Sequence, residues 1–413
     1  MRPKVPSLIK RNVALFSLSQ SFTGAGMQFS YGFGPLMVVS LTGSSALAGL
    51  SVGLVGLSRF MVAYPMGKIT DAYGRKPGIL LGLILALVGS IALGFAMQIR
   101  SIELFVIGLL AFGMGMNGAN QMRVGVADMF PASMRAEALG YLALGSLFGL
   151  LLSPVMVAAA DVIAKSYGAD PLGLPWFFLP LLIGGGMIVV SFVRPDPKVI
   201  GMNLGAYWTG LPPATAQRQS GEPATFSAMR LLANPSIRLA ILSNCAATGN
   251  MSIVMVLTSL VLHHHGHSLF VIAVSHTFHS IGMFAFTIPL GKLADRLGRS
   301  RVMFPGVFVS LIGAALVAFT PGIITVTLGT FLVGIGWAAA NVSATAFIAD
   351  QVTTKERGRA IGVNDSFAGG STVFAALVTG PLIELYGLPA TGLTAIFLAT
   401  VPFILRAVSG PMR

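Results

Sequence analysis

Long apolar runs, interrupted by short charged or glycine- and proline-rich stretches, organise the whole sequence. A membrane-spanning helix needs roughly 20 mostly apolar residues, and by that measure the runs form twelve segments. Six lie near 12–40, 44–66, 77–97, 102–125, 136–160 and 173–193, and six near 236–262, 269–291, 301–319, 323–347, 358–383 and 389–408. The stretch from Arg194 to about Ile237, rich in Pro, Gly, Ser and Arg, reads as the one obvious linker. The pattern predicts an all-α integral membrane fold in which bundles over 1–193 and 238–413 are joined by a cytoplasmic linker over 194–237.

Composition supports a membrane solvent. The chain of 413 residues is 54% hydrophobic and only 9% charged, against about 25% charged in an ordinary soluble domain. Its net charge of +13 would suit a nucleic-acid partner if the basic residues shared a soluble surface, but they do not. With the N-terminus inside, the short cytoplasmic loops receive Lys4, Lys10, Arg11, Lys68, Arg75, Lys76, Arg135, Lys292, Arg296, Arg299, Arg301, Arg357 and Arg359, whereas Arg100 and Lys165 alone fall on the other side. That asymmetry is the signal that orients membrane proteins, so both termini are expected in the cytoplasm, with a lipid bilayer and no nucleic acid as partner. Arg59 and Arg123 remain inside or near the ends of predicted helices.

The lone Cys245 excludes a disulfide scaffold. The first residues lack the apolar core and cleavage site of a signal peptide and read as uncleaved. A phosphate-cradling Gly-x-x-x-x-Gly-Lys-Ser/Thr and a Cys-x-x-Cys are both lacking, so the chain reads as a non-enzyme without a prosthetic group.

The segments also repeat. Gly67-Lys-Ile-Thr-Asp71-Ala-Tyr-Gly74-Arg75-Lys76 follows the second segment, and Gly291-Lys-Leu-Ala-Asp295-Arg-Leu-Gly298-Arg299 follows the eighth, 224 positions on. Asp128, Arg135 and Gly140 recur as Asp350, Arg357 and Gly362 at an offset of 222. A six-helix unit has been duplicated in parallel.

The Gly-x-x-x-Asp-x-x-Gly-Arg-Lys stretch and its echo, within a layout of two halves, resemble the signature loop of the major facilitator superfamily over nearly the whole chain. The resemblance implies alternating access, with the bundles rocking about a midplane site. Gly67, Asp71, Gly74, Arg75 and Lys76, with Asp295 and Arg299, are then expected to form a charged latch against a neighbouring helix terminus. The competing reading makes the basic residues simple anchors facing lipid phosphates.

One constellation proposes a substrate. Met251 and Met255 on the seventh segment, and His279 and Met283 on the eighth, are i, i+4 pairs, so each pair projects from one face of its helix. The polar interruption from His263 to Ser268 marks the turn between these segments, and the pairs flank it at similar distances. At 1.5 Å rise per residue, both fall near the middle of a ~30 Å apolar core. Thioethers and imidazole suit Cu(I) better than Mg²⁺ or Ca²⁺, but methionine is also an adaptable packing residue. The competing readings make His279 a proton relay or a satisfied core histidine.

The paired Met-x-x-x-Met and His-x-x-x-Met motifs resemble those of CcoA-like copper importers, which supply copper for cbb3-type cytochrome c oxidase assembly. The resemblance implies copper import across the bacterial inner membrane, with Met251, Met255, His279 and Met283 as ligands. It further implies a copper ion as substrate, a periplasmic copper donor, a cytoplasmic copper chaperone and a monomeric carrier. The alternative is a carrier of a small organic molecule, riboflavin-like or a drug, in which these side chains pack. A membrane copper sensor would need a signalling tail.

His263, His264, His265 and His267 form a second cluster that reads either as metal capture or as a solvated turn. Arg123 is a functional candidate because charge inside a span is costly. It is read either as a coupling residue, like the helix-four arginine of the superfamily, or as a partner of Asp128 near the cytoplasmic end. Ser19, Gln20, Thr23, Gln28 and Tyr31, with Asn117, Asn120 and Gln121, are expected to line the central cavity. Gly140, Gly145 and Gly149 before Pro154 only partly match the glycine pattern of drug/proton antiporters, which favours uptake.

Overall fold

A computed structural model describes residues 4–32, 34–44, 47, 49–168, 170, 172–209, 226–267, 269–320 and 322–409. The chain is helical over nearly all of them. The first predicted segment becomes α1 (Ser7–Gly32) and α2 (Gly34–Thr42); then follow α3 (Leu50–Tyr73), α4 (Arg75–Gln98), α5 (Ile102–Ala119), α6 (Met122–Met129), α7 (Arg135–Tyr167) and α8 (Leu174–Ser191). The linker contributes α9 (Pro197–Met202), α10 (Leu204–Tyr207) and α11 (Ala228–Ala233). The second half comprises α12 (Pro235–His264), α13 (Leu269–Ala285), α14 (Thr287–Leu297), α15 (Ser300–Phe319), α16 (Ile323–Gln351), α17 (Arg357–Tyr386) and α18 (Leu388–Ser409). Each predicted segment is covered by one helix, or by two in succession for the first (α1, α2), fourth (α5, α6) and eighth (α13, α14). Among the described residues, seven helical stretches are both long and apolar enough to cross a membrane, one of them α5 and α6 taken together.

Two predicted boundaries move. The second segment, expected over 44–66, becomes a helix that runs on to Tyr73, so Gly67 to Asp71 form its last turns rather than a loop. The polar turns stay helical because they are packed: Gly67, Thr70 and Asp71 are buried. Likewise His263 and His264 belong to the end of α12 and not to the turn after it.

Helix ends show why the sequence breaks where it does. Gly74 between α3 and α4 has φ 105°, and its repeat Gly298 between α14 and α15 has φ 102°. A side chain is strained in that left-handed region, so the duplicated glycines set the same tight reversal twice. Ser101 caps α5 by accepting from the Leu104 N–H at 3.1 Å.

Each half has its own apolar core. In the first, Phe29 and Phe112 set their rings edge-on to Trp176, at centroid distances of 6.2 and 5.2 Å. In the second, Met303, Phe304, Val307, Ile241 and Ile348 interlock. Phe60, Leu81, Phe95, Leu181 and Phe397 stay exposed on the outside, as a lipid solvent permits. The linker begins on the first half: Asp196 accepts from the backbone N–H of Arg75 and Lys76 at 3.1 and 2.9 Å, and the buried Trp208 donates Nε1 to the Met129 carbonyl at 3.0 Å.

The halves meet along α3 against α17 and α7 against α14. Both crossings are lined by glycines related by the repeat. A Cβ on Gly67 would lie 2.2 Å from the Gly358 carbonyl oxygen, and one on Gly291 would lie 2.2 Å from that of Ala136. Gly140 faces the Thr287 carbonyl and Gly362 that of Ala63, in the same mirrored manner.

Candidate functional site

The end of the bundle where α3 and α14 finish is its basic end, and there the halves are clamped twice. Asp71, buried in the last turn of α3, accepts from the backbone N–H groups of Gly358 and Arg359 at 2.9 Å each. These are among the orphan donors that open α17, so a carboxylate of one half caps a helix of the other, where the helix dipole favours negative charge. Arg75, fully buried, donates Nη1 to Asp71 at 2.6 Å and Nε to Asp128 at 2.7 Å, and Asp128 also takes Arg357 from the other half. Arg359 closes on Asp71 at 2.9 Å.

The second copy does the same in reverse. Asp295 accepts from Ala136 and Glu137 N–H at 3.2 and 2.8 Å at the start of α7. Arg299 pairs with Asp295 and, at 3.2 Å, with Asp350, which holds Arg135 at 2.5 Å. Of the residues expected in the latch, Lys76 departs: it donates Nζ to the Ser191 carbonyl at 2.5 Å, within its own half. Its neighbour Arg75 points inward to the acids, which leaves Lys76 for the α8 terminus.

A second charged cluster lies deeper. Asp365, eight residues into α17 and thus ~12 Å above its start, takes Arg59 of α3 on Oδ1 at 3.0 Å and Arg123 of α6 on Oδ2. Three asparagines extend it: Arg123 Nη1 donates to Asn341 at 3.4 Å, Asn341 to Asn244 at 3.2 Å, Asn244 to Asn364 at 3.2 Å, and Asn364 back to Asp365 at 3.2 Å. The reading that paired Arg123 with Asp128 is overturned, because Asp128 is taken by Arg75 and Arg357. The sequence pattern does not single out Asp365 and gives Arg59 no role. The available signal was a charged residue inside an apolar segment.

The Met and His positions are placed as follows. His279 is buried and its Nδ1 lies 2.8 Å from the Thr330 carbonyl of α16. A carbonyl only accepts, so Nδ1 carries the proton and Nε2 keeps a lone pair. Met283 lies where α13 crosses α16 closely, since a Cβ on Gly334 would stand 3.1 Å from the Met283 nitrogen. Met251 packs into the apolar cluster of Ile253, Val254 and Leu257, and Met255 is half-buried. Among the described residues no group of three or more His, Cys, Asp or Glu forms a metal cage. The side chains of His263 and His264 lie outside the described residues; His265 is exposed with Nδ1 2.8 Å from the Val261 carbonyl, and His267 is half-buried.

The hydrogen bonding of the expected cavity residues is mixed. Gln20 donates to Ser146 at 3.1 Å, Thr23 to the Ser19 carbonyl at 3.2 Å and Asn117 to the Gly113 carbonyl at 2.7 Å, while the buried Gln121 Oε1 has no partner among the described residues. The side chains of Gln28, Tyr31 and Pro154 lie outside the described residues.

Two helical bundles with lipid-facing exteriors, clamped at one end and bearing charge between them at membrane depth, define a carrier of the two-bundle type. Residues 16–237 and 239–410 match the Major Facilitator Superfamily, and the chain belongs to it. It is 29% identical over 389 residues to the MFS-type transporter YdeG of Bacillus subtilis, covering 91% of this chain and 88% of that one. It is 25% identical over 417 residues to the riboflavin transporter RfnT of Brucella anthropi, covering 96% of each. The multidrug resistance protein MdtG of Enterobacter lignolyticus is 26% identical over 410 residues, covering 96% of this chain and 90% of that one. The proton:xylose symporter XylE shares the fold at a TM-score of 0.76 and 12% identity, over 98% of this chain and 96% of that one.

Proposed function

We propose that this chain is a secondary carrier that moves a small organic solute across the bacterial inner membrane by alternating access, with its basic end in the cytoplasm. The observation that carries this reading is the cluster at membrane depth, where Arg59 and Arg123 share the single carboxylate of Asp365. A bare metal cation descending between the bundles meets a net positive charge there and is repelled. The relatives named for riboflavin and for drugs support the same reading. The two clamps then serve as the cytoplasmic gate, closed here and broken when the site turns inward.

Copper import, feeding oxidase assembly, is the second reading. It is favoured by the Met251, Met255, His279 and Met283 pairs and by the anchoring of His279 through Nδ1, since metal-binding histidines are commonly oriented by a carbonyl on the other ring nitrogen. Cells lacking the gene are complemented with wild type, Met255→Leu or His279→Ala, and accumulation of copper and of riboflavin is measured at equal protein level. Gene-dependent copper accumulation that disappears in both variants sinks the organic-solute reading. Copper levels independent of the gene remove the second.

A further inference from the structure

Arg59 and Arg123 come from one half of the molecule and Asp365 from the other. The clamp acids at the basic end of the same half, Asp71 and Asp128, are committed to Arg75, Arg357 and Arg359. Among the described residues the cluster therefore holds one positive charge without a counter-charge, in a setting where such charge is costly.

Its donors are also not used up. Arg59 bonds Asp365 through Nη2 alone, so its Nε and Nη1 have no partner among the described residues. The Arg59 side chain keeps 18% of its surface accessible while Asp365 keeps 6%, whereas Arg123 has Nε, Nη1 and Nη2 engaged by the Asn120 carbonyl, Asn341 and Asp365, so the free edge of the cluster belongs to Arg59. The asparagine chain from Asn341 to Asn364 holds Asp365 from behind and supplies no charge. A guanidinium with a free edge is the group that grips a carboxylate or phosphate with two parallel hydrogen bonds.

We propose that Arg59 and Arg123 form the seat for an anionic group on the transported solute, with Asp365 as the resident counter-ion that the solute displaces in part. This rests on the organic-solute reading and adds the charge class: the solute bears a carboxylate or a phosphate. A bound anion draws on the same guanidinium bonds that tie α3 and α6 to α17, so loading the site loosens the halves at mid-depth.

The test uses the purified full-length protein in detergent, titrated with benzoate and with its neutral isostere benzamide while thermal unfolding is followed. Benzoate is expected to raise Tm and benzamide to leave it unchanged. Arg59→Gln and Arg123→Gln each weaken benzoate binding by about tenfold or more, and Asp365→Asn tightens it by a similar factor because the competing charge is gone. A purely structural ion cluster does not tighten in Asp365→Asn, so unchanged or weaker binding there overturns the proposal even if the arginine variants fold poorly. Equal stabilisation by benzamide, or a benzoate effect that chloride alone reproduces, overturns it too. Riboflavin accumulation that is gene-dependent while benzoate has no effect removes the anion seat and leaves the carrier reading standing.

Discussion

Asp71 collects four donors: the N–H groups of Gly358 and Arg359, and the guanidinium groups of Arg75 and Arg359. A carboxylate is an acceptor at every lone pair, whereas an amide turns one NH₂ toward donors. Asp71→Asn is therefore expected to lose the cap without losing the shape, costing about 1–3 kcal/mol at the contact. Thr70 is fully buried beside it, so in a Cys245→Ser background Thr70→Cys reports opening. Adding Asp71→Asn should speed labelling by a hydrophilic maleimide in inside-out vesicles, and an unchanged rate would show that the cap does not hold the gate. At His279 the expectation concerns the fold: His279→Ala removes the bond to the Thr330 carbonyl and leaves a void, lowering stability by about 2–4 kcal/mol in thermal unfolding. His279→Gln, which can still donate, should recover part of that.

The pairs of α3 with α17 and α14 with α7 work as elements because they touch backbone to backbone. Gly67→Ala would push a methyl to 2.2 Å from the Gly358 carbonyl oxygen, and backbone cannot swing aside. Expected is a loss of about 2 kcal/mol or more with a gate that no longer closes, read as fast labelling at Thr70→Cys. Gly53→Ala, on the same helix, has only the Ala376 Cβ at 3.8 Å and should be silent. These elements were largely legible in advance, because a bilayer forces apolar length on every span. The acid and glycine positions of the latch were legible for a different reason, their appearance twice at a fixed offset. The true end of α3 was not: burial against α17 keeps its polar last turns helical, and burial by a partner more than 280 residues away leaves no local trace. The pairing of Arg59 and Arg123 with Asp365 is hidden in the same way, since the partners stand 306 and 242 positions apart and packing alone chooses among the available acids. The Met and His pairs were legible as motifs, yet the turn of His279 toward α16 rather than α12 depends on how α13 crosses its neighbour at Gly334.

In the molecule as a whole, the clamp is the same device used twice: Asp71 caps α17 while Asp295 caps α7, and Asp128 takes Arg357 while Asp350 takes Arg135. Disabling one copy should leave the other, so Asp71→Asn with Asp295→Asn is expected to open the gate by more than the sum of the single effects, as coupled contacts do. Additive labelling rates would mean that each clamp acts alone. Each half thus carries both members of the clamp, an acid at the end of one helix and an uncapped start of another. A surface that displays both complementary parts can pair with a copy of itself about a two-fold axis. A protein built from the first six helices alone would then hold everything needed to form an isologous homodimer, and the single chain retains that geometry as two unequal copies joined through one linker.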